Sequence, residues 1–286
     1  MPEMVLNFFS SFFRYLILQI EATNYCNLNC KICMRSRINY PKGYLNFETF
    51  RKVLDSYNFK SVSLHGWGEP LLNPELFKMI KYAEDKGIPA SITTNATLLN
   101  ENTMENIFSS NLSEIAFGIY SEERLNEVKG NIERLIKEKR NRKSKKPKTY
   151  FDITIYADNI DEIPELINNA KKLGIDEIIL HRLFNLYKVD KSVEYITKEE
   201  ERKLFEKLKK IKGMPIHLPK PHSIPCRIVK LSIFVTWHGK VTPCCFLPEY
   251  FIGDAKNGIK KILTSQEYKN FIKNMDNHEI CGRCIW

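Results

Sequence analysis

Short apolar runs rich in β-branched and aromatic residues alternate with longer amphipathic segments through the first two thirds of the chain. The runs are Tyr15 to Glu21, Ser61 to His65, Ala90 to Thr94, Glu114 to Tyr120, Tyr150 to Tyr156 and Glu177 to Arg182. Their length and composition predict strands. Between them, Phe47 to Tyr57, Pro74 to Lys86, Glu101 to Ser109, Glu123 to Arg140 and Asp161 to Leu173 carry the helical period. Asn73 and Pro74 read as an N-cap and a first-turn proline, and Gly87 and Gly174 stand where C-caps are expected. Strict alternation over six strands predicts parallel βαβ units with right-handed crossovers. Six such units form an open, partial (β/α)6 barrel more readily than the closed eight-stranded one.

After this series the pattern changes. Lys198 to Lys212 predicts a connecting helix opened by a capping box of Thr197 and Glu200. Met214 to Pro225 holds four prolines. Leu231 to Thr236 and Val241 to Cys245, joined by Trp237-His238-Gly239-Lys240, read as a hairpin, and a helix from Ser265 to Asn274 leads to Cys281-Gly-Arg-Cys284. The expected division is an apolar N-terminal segment at 1–14, a barrel at 15–196, a linker helix at 197–213 and a small hairpin/helix domain at 214–286. The last is too short to bury a large core alone, so a metal staple is expected there. The most apolar stretch, Met4 to Ile20, is broken by Asn7, Ser10, Ser11, Arg14 and Gln19. It falls short of the roughly 20 uninterrupted apolar residues of a bilayer helix. Phe8, Phe9, Phe12 and Phe13 fall at helical spacing; capping the barrel bottom is favoured over contact with a membrane surface.

Composition adds little to this picture, and charge adds one local feature. With 43% hydrophobic and 27% charged residues, 12 Gly and 13 Pro, the 286-residue chain is a folded globular protein rather than a disordered or low-complexity one. The net charge of +10 invites a nucleic-acid reading. Between Arg134 and Lys148, however, nine basic residues face one acid, Glu138, and elsewhere the charges nearly cancel. A local run of this kind is a solvated helix end and loop, and a nucleic-acid partner is not expected.

Eight cysteines carry most of the chemistry: Cys26, Cys30 and Cys33, then, far along the chain, Cys226, Cys244, Cys245, Cys281 and Cys284. A chain of this size without a secretory signal favours thiolate ligands in a reducing, cytoplasmic setting over disulfides. Cys26-Asn-Leu-Asn-Cys30-Lys-Ile-Cys33 follows the first strand, at the end where βα-barrels keep their active sites. Three thiolates on one tight loop suit three corners of a 4Fe-4S cube and leave the fourth iron open. A zinc loop is the alternative, though zinc favours paired C-x2-C arms and four protein ligands.

With that loop in place the chain resembles the radical S-adenosylmethionine (SAM) superfamily. His65-Gly66-Trp67-Gly68-Glu69-Pro70 is similar to the family's GGEP element, with Trp67 in place of the first glycine. The resemblance implies that Gly68, Glu69 and Pro70 hold the SAM ammonium group through carbonyls and a carboxylate. Thr93-Thr94-Asn95-Ala96-Thr97 resembles the TNG-type ribose contact, with Ala96 replacing glycine, which assigns Thr94 and Asn95 to SAM. Ser121 and Arg182 match further positions that contact the SAM ribose or carboxylate. Ile32 departs from the usual aromatic residue before the last cysteine, which implies looser adenine packing. Cys226, Gly239, Cys244 and Cys281-x2-Cys284 are similar to the SPASM/Twitch extension. The shortened Twitch form with one auxiliary 4Fe-4S cluster is the better match, held by Cys226, Cys244, Cys281 and Cys284, with structural zinc as the alternative. Cys245, next to Cys244 on an expected strand, would point to the opposite face.

The resemblance implies an oxidoreductase-type radical SAM enzyme: SAM is reductively cleaved and the 5′-deoxyadenosyl radical abstracts a hydrogen atom from an unactivated carbon. A fully ligated auxiliary cluster accepts or relays an electron, which favours net oxidation or radical bond formation. A small metabolite or cofactor precursor is favoured over a peptide, because a first strand starting near Tyr15 leaves no room for a leader-binding domain. A ferredoxin- or flavodoxin-type donor is the implied partner. His65, Tyr120, Tyr156 and His181 end strands on the active side and are the candidate substrate-contacting residues. A non-catalytic zinc or nucleic-acid-binding module is the remote alternative; the Gly68-Glu69-Pro70 element argues against it.

Overall fold

The computed structural model describes residues 16–223 and 226–285; the Phe8 to Phe13 segment, with all of 1–14, lies outside them. The strands are β1 (Ile17–Ile20), β2 (Ser61–Ser63), β3 (Ala90–Thr94), β4 (Glu114–Gly118), β5 (Lys148–Ile155), β6 (Glu177–Arg182), β7 (Ile216–His217), β8 (Ser232–Val235), β9 (Lys240–Thr242) and β10 (Gly253–Asp254). The helices are α1 (Phe47–Asp55), α2 (Leu76–Asp85), α3 (Glu101–Ser109), α4 (Glu122–Asn141), α5 (Ile163–Leu173), α6 (Lys198–Leu208), α7 (Arg227–Leu231), α8 (Ile259–Leu263) and α9 (Gln266–Lys273). Among the described residues no helix is long and apolar enough to cross a membrane. The chain forms two compact units. The first holds the residues through Cys26, Ile38–Ser91 and Ser223–Arg283; the second holds Asn27–Arg37, Ile92–His222 and the residues from Cys284.

In the first unit β1 pairs in parallel with β2 on one side and with β8 on the other, so Leu18 lies beside both Val62 and Ile233. All three are buried, as alternation along half-buried strands requires. β2 continues in parallel to β3, while β8, β9 and β10 pair antiparallel. The expected hairpin is therefore present, and the sequence pattern did not reveal that its first strand extends the parallel series through β1. β9 ends at Thr242, short of the cysteines at 244 and 245. α1 is capped by Asn46, whose side chain accepts from the Thr49 N–H at 2.8 Å, and it buries Phe50, Val53 and Leu54. α2 begins later than expected. Asn73 is not its N-cap; its buried amide donates to the carbonyls of Ala22 and Leu45 at 2.7 and 2.9 Å, and its oxygen accepts from the Glu75 N–H.

In the second unit β4, β5, β6 and β7 are parallel neighbours, with Phe117 opposite Phe151 and Phe151 opposite Ile178. β7 lies inside the Pro-rich stretch, where no strand was expected. α5 ends on Gly174, whose φ of 85° is the left-handed conformation a C-cap needs. α6 opens with the Thr197–Glu200 capping box and closes at Leu208 rather than Lys212. Part of the basic run is neutralised locally: Lys139 pairs with Asp176, Arg142 with Glu105 and Glu138, and Lys148 with Glu177.

Candidate functional site

The first unit carries Cys26 at the exit of β1 and the His65–Pro70 turn at the exit of β2. The turn docks on the backbone ahead of Cys26: the Glu69 N–H donates to the Tyr25 carbonyl at 2.8 Å. A Cβ on Gly68 would stand 2.2 Å from the Thr23 carbonyl oxygen and 2.5 Å from that of Tyr25, so only glycine allows this approach. Glu69 is 2% exposed, and one carboxylate oxygen accepts from the Leu71 N–H at 3.1 Å, capping the 3₁₀ turn Pro70–Leu72. Trp67, where the resemblance expects glycine, donates its indole N–H to the Cys245 carbonyl at 3.1 Å. His65 is half-buried at the start of the turn, its carbonyl near the Gln19 amide.

Cys30 and Cys33 belong to the second unit. The Cys33 N–H donates to the Cys30 carbonyl at 3.0 Å, a tight turn, and Ile32 packs on the buried cluster of Tyr156, Leu183 and Val193 together with Tyr120. Burial pushes the Tyr120 phenol well above its ordinary range, and the neighbouring Asp152, Cys30 and Cys33 add to the shift. Tyr156 is itself part of this cluster, its phenol raised by burial, with the Lys31 ammonium 5.5 Å from its ring. Asn159, buried, binds the ends of β4 and β5 by donating to the Tyr120 and Thr154 carbonyls at 2.9 and 2.8 Å. His181 Nε2 stands 3.3 Å from the Asp152 carboxylate. Both belong to the less buried face of β5 and β6, which alternates with Phe151, Ile153, Ile178 and Leu180.

Thr94 is buried and its hydroxyl accepts from the Ala96 N–H at 3.1 Å; Ala96 has φ 62°, the strained conformation that the family's glycine would adopt freely. The Asn95 amide donates to Asn27 at 2.9 Å and its oxygen accepts from the Thr97 N–H, which ties this turn to the cysteine loop. Ser121 caps α4, accepting from the Arg124 N–H at 3.1 Å. Arg182 forms a bidentate pair with Glu201 at 2.6 and 2.9 Å and donates to the carbonyls of Lys220, Pro219 and Ile285. All three of its nitrogens are thus engaged within the chain.

Of the C-terminal cysteines, Cys226, Cys244 and Cys281 lie in the first unit and Cys284 in the second. One turn organises two of them: Met275 Sδ accepts from the Cys226 N–H at 3.3 Å, and His278 Nδ1 accepts from the Cys281 N–H at 3.4 Å. Gly282 is required between Cys281 and Cys284, since a Cβ there would meet the Asp276 carbonyl oxygen at 2.4 Å. Cys244 and Cys245 lie past the end of β9, so strand alternation does not set their directions. Their thiols are hydrogen-bonded, not opposed: this contact first, and then burial, holds the Cys244 thiol well above its ordinary value. Among the described residues no three His, Cys, Asp or Glu side chains converge on one ion. An iron–sulfur cube asks for something different, one thiolate at each corner, and the chemistry of both all-thiol groups fits it. The sequence pattern did not single out Asp152 or Glu21, because nothing local marks Asp152 as the partner of His181 or Glu21 as a buried acid.

Comparison with known proteins agrees with this geometry. Residues 20–196 match the profile of the Radical SAM superfamily, and residues 226–285 match that of an iron–sulfur cluster-binding domain. The chain is 24% identical to the tungsten-containing aldehyde ferredoxin oxidoreductase cofactor-modifying protein of Pyrococcus furiosus, over 79% of this chain and 70% of that one. It is also 24% identical to the AdoMet-dependent heme synthase of Methanosarcina barkeri, over 92% and 86% of the two chains. In fold it is similar to Streptococcus suis SuiB bound to precursor peptide SuiA, with a TM-score of 0.75, 15% identity, and 94% and 70% coverage. SuiB bound to S-adenosylmethionine gives a TM-score of 0.74 at 18% identity, with 95% and 71% coverage.

Proposed function

We propose that this protein, which belongs to the Radical SAM superfamily and carries a C-terminal SPASM/Twitch-type cluster domain, removes a hydrogen atom from a small polar metabolite or cofactor precursor, with net oxidation or radical bond formation. It is an enzyme that uses S-adenosylmethionine and 4Fe-4S clusters. The barrel at 15–196, the linker at 197–213 and the auxiliary domain at 214–286 are the working division; the two matched profiles support its ends. Cys26, Cys30 and Cys33 hold the first cluster, and Cys226, Cys244, Cys281 and Cys284 the auxiliary one. When bound, cluster and SAM supply the electron and the 5′-deoxyadenosyl radical for hydrogen abstraction.

The chain's own residues bind and orient. Gly68 lets the turn lie against the backbone ahead of Cys26, and Glu69 presents a buried carboxylate to the SAM ammonium group. Thr94 and Asn95 position the ribose, with Ser121 and Arg182 framing it through α4 and Glu201. Tyr120 and Ile32 exclude water beside Cys30 and Cys33. His181, oriented by Asp152, takes up a proton from the substrate. An acidic ferredoxin- or flavodoxin-type protein delivers electrons, attracted by the Lys143–Lys146 segment.

The Asp152–His181 pair on the polar face of β5 and β6 carries the choice of a polar substrate. The two curated relatives above, named for cofactor modification and heme synthesis, support a cofactor precursor. A peptide substrate is the second reading, favoured by the likeness to SuiB in complex with a precursor peptide. Reduced enzyme with SAM, given either the low-mass or the peptide fraction of a cell extract, separates the two. The low-mass fraction should accelerate 5′-deoxyadenosine release. Asp152→Asn should abolish that acceleration while leaving the slow uncoupled cleavage intact. Acceleration by the peptide fraction alone would establish the second reading.

A further inference from the structure

Glu21, the residue after β1, is fully buried, and no cation pairs with it among the described residues. Three donors converge on its carboxylate. The Tyr40 hydroxyl lies 3.0 and 3.2 Å from its two oxygens, the Trp67 N–H reaches Oε1 at 3.3 Å, and the Trp237 N–H reaches Oε2 at 3.3 Å. The contact is close: a Cβ on Gly66 would meet Glu21 Cγ at 2.7 Å. The surrounding segments are bound to one another as well. The Trp237 indole donates to the Pro41 carbonyl at 2.9 Å and covers Gly43, and the His238 ring lies 5.0 Å from that of Tyr40. Two of the three donors are backbone N–H groups, which cannot reverse their role, so the centre needs an acceptor-only group. A glutamine would turn an amide N–H toward one of them.

We propose that Glu21 is a positioning residue whose carboxylate ties the Gly66–Pro70 turn to the Trp237 turn of the C-terminal hairpin, so that the site receiving the SAM ammonium group is shaped by the auxiliary domain. The proposal rests on the reading of Gly68–Pro70 as the ammonium-binding element. Burial raises the Glu21 carboxyl to about 7, against the opposing pull of its three hydrogen bonds. Protonation converts one oxygen into a donor facing a donor, and one tryptophan contact is lost. The titratable groups around it are few. Tyr40 is raised by burial and by Glu21 itself, with Glu249 adding to this; His238 is lowered by burial and by Lys240, and raised by Asp254. His65 precedes the turn.

Two of the chain's three tryptophans bracket Glu21, which gives a readout independent of turnover. Tryptophan emission of the full chain should show a pH transition with a midpoint near 7. The transition should persist in His238→Gln, vanish in Glu21→Gln and return in part in Glu21→Asp. In cluster-loaded protein, SAM affinity should fall about tenfold on acidification through the same midpoint, the loss of one charge-assisted hydrogen bond. In Glu21→Gln the affinity should be low and independent of pH. An emission transition that survives in Glu21→Gln overturns the proposal. So does a SAM affinity that drops in Glu69→Gln and stays at the wild-type value in Glu21→Gln. If neither variant affects SAM affinity, the ammonium-site reading fails, and the proposal with it.

Discussion

A carboxyl held out of water without a cation changes the pH dependence of folding in a direction opposite to that of a salt-bridged acid. Glu21 titrates near 4.5 when unfolded and near 7 when folded. Between these values the native state binds the proton that the unfolded chain has released, so stability falls as pH rises through the window. The full difference, about 3 kcal/mol, is reached above the folded value. Glu21→Gln removes it: relative to wild type, the variant should gain about 2–3 kcal/mol on going from about pH 5 to pH 8 in denaturant titrations. A constant offset at all pH values would show that the acid is not buried in this way. Glu21 was illegible in the sequence because its donors lie 19, 46 and 216 positions away. Gly68 was legible through its resemblance to the GGEP element, while its close approach to the Thr23 and Tyr25 carbonyls was not. Ser121 follows β4 and Arg182 ends β6, and the structure gives them a helix cap and an ion pair with Glu201, partners that no motif reports.

Elements whose signals are local were read well. The capping box of α6 and the left-handed Gly174 after α5 depend on residues a few positions apart. The pairing of β8 with β1 joins segments more than two hundred residues apart, and β7 is two residues long; neither leaves a periodic trace. Asn73 misled because an Asn-Pro pair serves equally as a helix start and as a turn whose amide bonds elsewhere. The basic run belongs to the end of α4 and the connection to β5, on the side of a βα unit away from the strand ends that carry catalytic groups. Its pairing with Glu105, Glu138, Asp176 and Glu177 involves Lys139, Arg142 and Lys148; Lys143 and Lys145 are among its exposed charges that make no ion pair among the described residues. Changing Lys143, Lys145 and Lys146 to Gln should leave dithionite-driven SAM cleavage and SAM affinity unaltered. It should slow reduction by an acidic protein donor, with a weaker salt dependence. A large loss of SAM affinity would contradict this placement.

At the scale of the whole chain, each compact unit carries its own parallel strands: β1, β2 and β8 lie in the first, with Cys26 and the His65–Pro70 turn, and β4 to β7 in the second, with Cys30 and Cys33. The strand-and-helix rhythm and the cysteine spacing sufficed to assign the fold class and the family. What escaped was the burial that raises Glu21 and Tyr120 and the pairing of Asp152 with His181, since both depend on packing between distant segments. We propose that the first cysteine loop and the Gly68–Glu69 turn form the SAM-cleaving centre of this Radical SAM superfamily member. Anaerobic reconstitution with iron and sulfide, followed by SAM and a reductant, tests it most directly. The expected result is 5′-deoxyadenosine and methionine in equal amounts, with Cys30→Ala producing neither. SAM left intact by fully reconstituted, reduced protein would contradict the account.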